Sequence, residues 1–274
     1  MQRPPDLTDR AALLRYRARA ARDPALFLQE LAADEVEDRL RMVNRAFTNV
    51  AIVTPWPDLW QERLPEAVVV EDAETLGLEP ESHDLVIHAL CLHWANDPVG
   101  QLIQARRALK PDGLFLATLF GGQTLFELRA VMAEAEAELT GGLSPRIAPM
   151  AEIRDLGGLL QRAGFALPVA DSVTQVVTYS GAMGLMRDLR AMGEGNALAA
   201  RHRKPVPRGF FDDTAARYAA AHADSDGRIP ATFEMITLTG WSPGEGQQQP
   251  LRPGSAQARL ADALNATETP LREK

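Results

Sequence analysis

The residues best placed to do chemistry follow short apolar runs of the sequence. His93 and Trp94 come directly after the run at 84–92, and Gly121 and Gly122 follow a later run of the same kind. Short continuous apolar runs are typical of strands buried on both faces of a parallel sheet. Ligands of open α/β sheets bind beyond the carboxyl ends of such strands. His93 is therefore a candidate catalytic general base and Trp94 a candidate pocket wall, while ordinary turn residues at a sheet edge are the competing interpretation.

Three histidines recur every five residues, at His83, His88 and His93, with Cys91 among them. A protein metal site needs three or four converging ligands. Residues 88 and 93 would point to opposite faces of a strand. We therefore expect no metal site, and His88 is interpreted as a neutral, hydrogen-bonded core histidine.

Basic residues form a second group of candidates. Arg146 lies in a loop and could bind a carboxylate or a partner peptide, or only form a surface ion pair. Arg201 and Arg203 belong to a basic cluster at 201–208 that could dock an acidic or membrane-adjacent partner. The chain has a net charge of −8, whereas nucleic-acid-binding proteins usually carry a basic surface. Nucleic acid is therefore not an expected partner.

Apolar runs alternate with helical patterns along the chain, which predicts an α/β fold with a parallel sheet. The strand-like runs are 50–53, 67–70, 84–92, 114–120, 173–179 and 231–239, and the helical patterns are 24–47, 99–109, 124–139, 150–163, 182–192 and 212–222. The first helix is expected to be capped by Asp23 with Pro24 at its first position. The helices within 10–47 are expected to pack over the pocket or its rim.

The 274 residues predict one α/β domain with appendages. The expected organisation is an N-terminal helical segment at 1–49, the α/β domain at 50–241 and a loosely ordered tail at 242–274. No apolar run approaches the ~20 residues of a membrane helix. Acidic residues flank the arginine-rich segment at 10–22, which favours a surface helix over a targeting peptide. The single cysteine excludes an internal disulfide, and 26 arginines against three lysines indicate a GC-rich, bacterial genome.

Several ordered segments together resemble the class I S-adenosylmethionine methyltransferases. They are LHWANDP at 92–98, RRALKPDGLFLA at 106–117, FGGQTLFELR at 120–129, GGLSPRIAP at 141–149 and DLRAMGEGN at 188–196. Within this superfamily the segments look most like the assembly factor of respiratory complex I that hydroxylates an arginine. More distant relatives include the malonyl-carrier-protein methyltransferase of biotin synthesis. The resemblance covers residues 6–241 and implies a Rossmann-like methyltransferase fold.

One part of the family pattern is missing. The family's first strand ends in a glycine-rich turn, D-x-G-x-G, but residues 50–76 contain no glycine, and Thr54 is followed by Pro55, Trp56 and Pro57. Prolines fix φ and remove backbone donors where the cofactor needs close approach. We therefore expect binding of S-adenosylmethionine in the family's manner to be lost. If the site is retained, the resemblance implies that Thr54, Asp72, Ala73 and Trp94 hold the cofactor.

The length of the same region predicts a missing strand. Thirty residues separate Val53 from Asp84, whereas two further strands with their crossovers need about 34. Aligned backwards from Asp84, the run at 67–70 corresponds to the family's third strand and Asp72 to the acidic residue after it. The competing interpretation of Asp72 is a solvated loop carboxylate.

Three functions remain open at this point. The favoured hypothesis is an assembly or modification factor for respiratory complex I that binds a subunit through a methyltransferase-like fold with a degenerate cofactor site. The alternative is an active S-adenosylmethionine-dependent methyltransferase or arginine hydroxylase with a remodelled site. A small-molecule methyltransferase ranks last. The expected location is the cytoplasm, at the inner face of the membrane.

Overall fold

The structure, a computed structural model, describes residues 5–247, and those up to Pro243 form one structural unit. The helices are α1 Arg10–Ala20, α2 Phe27–Val43, α3 Pro57–Arg63, α4 Pro98–Ala108, α5 Phe126–Thr140, α6 Ile153–Arg162, α7 Ala182–Ala191 and α8 Phe210–His222. The strands are β1 Val50–Val53, β2 Val68–Val70, β3 His83–Ala89, β4 Leu109–Phe120, β5 Ala166–Tyr179 and β6 Ile229–Trp241. Most of the tail predicted at 242–274 lies outside the described residues.

The six strands form one mixed sheet in the order β2-β1-β3-β4-β6-β5. Strands β1 to β4 are parallel, and β6 and β5 continue the sheet in antiparallel pairs. This confirms the predicted α/β, Rossmann-like fold class. The usual doubly wound order places two strands beyond the first one, and here the described residues place only β2 there. The strand deletion predicted from chain length therefore agrees with the topology.

Strand β2 lies directly beside β1, with Ala51 paired to Val68 and Val53 to Val70. The sequence analysis assigned the run at 67–70 to the family's third strand, which is not adjacent to the first strand in the sheet. Its position in the sheet is instead the one next to β1. Helix α3 spans the link between β1 and β2. The sequence analysis missed this helix because it considered Pro55 and Pro57 only as residues that fix φ and lack a backbone donor. Pro57 occupies the first turn of α3, where proline needs no intrahelical donor.

Several boundaries of the predicted elements were wrong, including the end of the first long helix, which is Val43 and not residue 47, and the start of β4, which is Leu109 and not residue 114. Helix α2 begins at Phe27 with Leu26 at its N-cap and no side-chain cap bond, so Asp23 and Pro24 do not start it. The backbone N–H of Asp23 instead closes the turn after α1 by donating to Ala20. Strand β5 is longer than predicted because it pairs with β6 almost throughout, from Ala166 to Tyr179.

Helices α1 and α2 take different places on the sheet. Helix α2 packs on its face, where Ala33 and Val36 join a core with Ile52 and Leu85. Helix α1 lies beyond the carboxyl ends of β1 and β2. The first half of α2 also reaches this end of the sheet, where Leu28 joins a core with Leu90 and Phe120. Among residues 5–247 no helix is long and apolar enough to cross a membrane.

Trp60 of α3 is fully buried in the same core, and its indole N–H has no partner in the described part of the chain. We expect Trp60→Ala to lower the free energy of unfolding by about 3–5 kcal/mol, because it removes a large core side chain and leaves a cavity. Urea denaturation of both proteins measures this difference.

Trp60→Phe should cost much less, because it keeps most of the packing and deletes the unpaired N–H. Met42→Ala is the control, since Met42 is 74% exposed on α2. A Trp60→Ala protein as stable as the Met42→Ala control would contradict this role for α3.

Candidate functional site

A buried ion pair joins α1 to the end of β2. Arg17 Nη1 donates to both carboxylate oxygens of Asp72 at 2.7 Å, and the two side chains are 7% and 5% exposed. Arg10 adds a second guanidinium, with its Nη1 3.3 Å from Asp72 Oδ2. Burial opposes ionisation of Asp72, but the charge and hydrogen bond of Arg17, with those of Arg10, lower its pKa below the usual value. Asp72 is therefore not the solvated loop carboxylate of the competing interpretation.

The turn after β1 uses its polar groups internally. The N–H of Thr54 donates to the Val70 carbonyl, and the Thr54 hydroxyl accepts from the N–H of Trp56, both at 3.1 Å. Trp56 is buried, and the carbonyl of Ala73 accepts a bond from Gln101 Nε2 at 2.9 Å.

Thr54, Asp72 and Ala73, all predicted cofactor ligands, do lie together. They line a cavity of about 710 Å³ between α1 and the ends of β1 and β2, here called the α1 cleft. Trp94, the fourth predicted ligand, is not in its lining.

His93 and Trp94 lie in a single 3₁₀ turn after β3 and share one carboxylate. Trp94 Nε1 donates to Glu194 Oε2 at 2.6 Å, and His93 Nε2 lies 3.3 Å from the same oxygen. The His93 ring is 2% exposed and packs against Phe120 with ring centroids 4.9 Å apart. Its Nδ1 is buried without a partner among the described residues.

Glu194 is a deeply placed carboxylate that remains ionised. Burial opposes its charge, but the neighbouring His93, the Trp94 hydrogen bond and the charge of Arg17 together lower its pKa. Oxygen Oε1 has no hydrogen-bond partner within residues 5–247. One oxygen of this carboxylate is therefore held by two neighbours, and the other is without a hydrogen bond among the described residues.

Glu194 lines a second cavity, of about 220 Å³, here called the chamber. Trp94 forms part of its wall, and His93 is not in the lining. The remaining wall is mostly apolar, with Phe120, Leu125, Leu128, Met132, Met186, Met192 and Phe233, and Arg146 and Arg190 also line it. A mostly apolar pocket with a few placed polar groups is the usual form of a ligand site.

A third cavity, of about 530 Å³, adjoins the chamber. Five arginines line it, and together they are here called the arginine rim: Arg19, Arg146, Arg190, Arg201 and Arg203. Arg146 pairs with Glu136 at 2.6 Å and lies over the Phe210 ring. Arg201 pairs with Asp9 at 2.9 Å, and Arg203 lies 3.4 Å from the same carboxylate. The three basic residues predicted from the sequence as partner-binding thus lie together in one surface.

His88 is a core histidine, as expected. Its Nε2 lies 2.7 Å from Gln101 Oε1, and Cys91 Sγ lies 3.3 Å from its Nδ1. Burial lowers the pKa of His88 to about 4, so the ring is neutral near pH 7, and burial raises the pKa of Cys91 well above its ordinary value. Within the described residues no group of three or more His, Cys, Asp or Glu side chains could hold a metal ion.

Sequence reasoning missed the two charged residues that organise the site, Arg17 and Glu194. Arg17 was considered only as part of a targeting-like segment. Glu194 stands in DLRAMGEGN, a segment used for the resemblance, and a lone acid among small residues in a shared loop was the available signal. Their partners are distant in the sequence, 55 residues away for Arg17 and about 100 for Glu194.

We expect Asp72→Asn to destabilise the protein by about 3–5 kcal/mol, because it leaves the buried Arg17 guanidinium without its counter-charge. The folded pKa of Asp72 lies below its ordinary value of 3.8. Its contribution is therefore complete above that value and is lost as the pH falls through the folded pKa. Denaturation midpoints measured from pH 7 down to the acid limit test both points.

The matched control is Glu71→Gln, which neutralises the exposed neighbour of Asp72. It should leave both the stability and its acid dependence nearly unchanged. Equal effects of the two substitutions would show that the ion pair does not hold α1 in place.

The chain is similar to known proteins over much of its length. Residues 35–117 match a methyltransferase domain. The chain is 39% identical over 199 residues to the mitochondrial arginine-hydroxylase NDUFAF5 of Danio rerio, covering 73% of this chain and 62% of that protein. It is 40% identical over 196 residues to the human protein of the same name, covering 72% and 56%. The malonyl-[acyl-carrier protein] O-methyltransferase of a Methylovorus species is 38% identical over 175 residues, covering 64% and 56%.

The chain thus spans less than two thirds of the length of these curated relatives. Among solved structures, the YcgJ protein of Bacillus subtilis is 12% identical with a TM-score of 0.46, covering 74% of this chain and 94% of that one. The phosphoethanolamine N-methyltransferase 2 of Haemonchus contortus is 12% identical with a TM-score of 0.40, covering 77% and 52%. The chain therefore has a Rossmann-like fold with a region that matches a methyltransferase domain, and it is similar to arginine-hydroxylase and O-methyltransferase relatives.

Proposed function

We propose that this protein binds an arginine side chain of a protein partner in the chamber and acts as an assembly or modification factor for respiratory complex I. The names of its relatives supply the arginine and the hydroxylase activity. The resemblance noted in the sequence supplies complex I, and its subunits are the proposed partners. The proposed place of action is the cytoplasm, at the inner face of the membrane that holds the complex.

The observation that carries the proposal is the carboxylate of Glu194 in the chamber wall. An arginine side chain combines an apolar stem with a planar, permanently charged guanidinium. The apolar chamber suits the stem, and the unpartnered Glu194 Oε1 suits the guanidinium. Glu194 is ionised beside His93 and Arg17, and a hydrogen bond from a cationic donor to its second oxygen would be stronger than one from a neutral donor.

His93 has a positioning role in this proposal. Its ring does not line the chamber, but it lies against the Glu194 carboxylate together with the Trp94 indole. Together they hold one oxygen of Glu194 and leave the other facing the ligand. The sequence-based hypothesis of a catalytic base at His93 is replaced, in this proposal, by an indirect role.

The α1 cleft is proposed not to hold S-adenosylmethionine in the manner of the superfamily. Both oxygens of Asp72 already accept from Arg17, the N–H and hydroxyl oxygen of Thr54 bond within the turn, and the Ala73 carbonyl accepts from Gln101. Pro55 and Pro57 cannot donate from the backbone. The residues present therefore do not fit the cofactor in its usual place.

One observation favours the second candidate, an active methyltransferase or hydroxylase with a remodelled site. The α1 cleft still encloses about 710 Å³ at the carboxyl ends of β1 and β2. A ligand there would have to bind beside α1 or displace it.

Calorimetric titration with S-adenosylmethionine and S-adenosylhomocysteine separates these candidates. We expect no saturable heat at ligand concentrations up to about 1 mM, which corresponds to a binding free energy weaker than about −4 kcal/mol. A methyltransferase with an intact glycine-rich turn, titrated with the same ligand stocks, is the positive control. Saturable one-to-one binding in the micromolar range would overturn this part of the proposal and favour the remodelled enzyme.

A peptide pair tests the arginine site itself. The wild-type protein should bind a short peptide with one central arginine more tightly than the same peptide with citrulline, its neutral isostere. Glu194→Gln should weaken arginine binding by about 30-fold or more, because removing one partner of a buried charge pair costs at least 2 kcal/mol. Fluorescence anisotropy of labelled peptides measures both affinities.

Glu71→Gln serves as the control for loss of a single negative charge, since Glu71 is exposed and lies outside the chamber. An unchanged preference for arginine in Glu194→Gln would mean that the chamber is not the arginine site.

A further inference from the structure

We propose that the arginine rim binds acidic residues flanking the target arginine, so that chamber and rim read one stretch of the partner protein. This inference rests on the proposed arginine site and states which residues should flank the target arginine in the partner. The occupant is a protein segment with a cation for the chamber and anions for the rim.

The chamber and the rim are continuous. Both cavities are lined by Arg146, Arg190, Gly195 and Asn196, which therefore stand between them. Glu194, the residue that faces the chamber, directly precedes this shared stretch. A peptide that inserts its arginine beside Glu194 has its neighbouring residues within reach of the rim.

The rim carries more positive than negative charge. Its five guanidinium groups face two paired carboxylates, those of Glu136 and Asp9. Arg19 and Arg190 are exposed and pair with no carboxylate among the described residues. This surface is basic although the whole chain carries a net charge of −8.

The charge of the rim decides what can enter the chamber. A peptide with a single arginine and neutral neighbours meets a positive surface before it reaches Glu194, and like charges repel. Acidic neighbours make the electrostatic interaction between peptide and rim attractive, and they accept charge-assisted hydrogen bonds from the guanidinium groups. The Glu194 carboxylate in the chamber therefore favours an arginine, and the guanidinium groups of the rim, including Arg146 and Arg190 at the boundary, favour acidic neighbours on either side of it.

Part of the rim is held in place before any partner binds. Arg201 Nη1 donates to the Leu198 carbonyl at 2.7 Å, and Asn196 Nδ2 donates to the Pro145 carbonyl at 2.9 Å. The Arg146 guanidinium lies 4.1 Å from the centre of the Phe210 ring. Fixed donors lose less side-chain entropy on binding an anion, which favours a specific site over a diffuse basic surface.

The test compares two arginine peptides, one with aspartate and glutamate flanks and one with asparagine and glutamine flanks. We expect wild-type protein to bind the acidic peptide about tenfold more tightly, with the difference shrinking as salt screens the rim. The double variant Arg19→Gln/Arg190→Gln should lower that ratio to about threefold or less, since it removes the two unpaired cations.

The matched control is Arg15→Gln/Arg187→Gln, which removes two exposed arginines from the same helices outside the rim. It loses the same net charge, so it should keep the tenfold ratio. An equal loss in both double variants, or no preference for acidic flanks in wild-type protein, overturns the inference and leaves the proposed arginine site standing.

Two further measurements, peptide binding with arginine or citrulline and binding to lipid vesicles, distinguish failure of the arginine site from failure of the rim. If wild-type protein does not distinguish arginine from citrulline but still prefers acidic flanks in a rim-dependent manner, the arginine site fails and the acidic-segment surface stands. Vesicles of phosphatidylglycerol provide the competing anion source. Rim-dependent binding to these vesicles without any preference among the peptides would assign the rim to a membrane surface and overturn the inference.

Discussion

The buried contact between Arg17 and Asp72 is the constraint on which the rest of the site depends. The side chains of Arg17 and Asp72 are only 7% and 5% exposed, and buried charges are tolerated only as a well-matched pair. Helix α1 must therefore stay over the end of β2. The start of the same helix is tied down as well, because Asp9 caps α1 and pairs with Arg201. One short helix therefore forms one wall of the α1 cleft and supplies Arg19 to the arginine rim.

The shortened link between β1 and β3 makes this arrangement possible. With only β2 beyond β1 among the described strands, Asp72 emerges beside the turn at Thr54. Chain length alone predicted the missing strand, because a crossover needs a minimum number of residues whatever its sequence. The position of β2 next to β1 was not predicted, since an alignment follows sequence order and a sheet follows backbone pairing.

The sequence predicted the framework of the site better than its charges. Trp94 and Arg146 were singled out from strand ends and shared segments, and they line the same chamber. Arg17 and Glu194 were missed because their partners come from distant parts of the chain, as the Arg17–Asp72 separation of 55 residues illustrates. Composition and periodicity report local structure, and they contain little information about which buried charges meet.

Helix α1 links the α1 cleft to the arginine rim, because it lines both cavities. An open α1 cleft would require α1 to leave Asp72, and Tyr16 and Arg19 would leave the rim with it. A ligand that displaced α1 from Asp72 would therefore also take Arg19 out of the rim, as long as α1 moves as one body. In the proposed function, α1 occupies part of the cofactor side of the fold and supplies part of a basic surface beside the chamber. The position of α1 over Asp72 is then what would adapt a methyltransferase-type fold to the recognition of an arginine-containing segment.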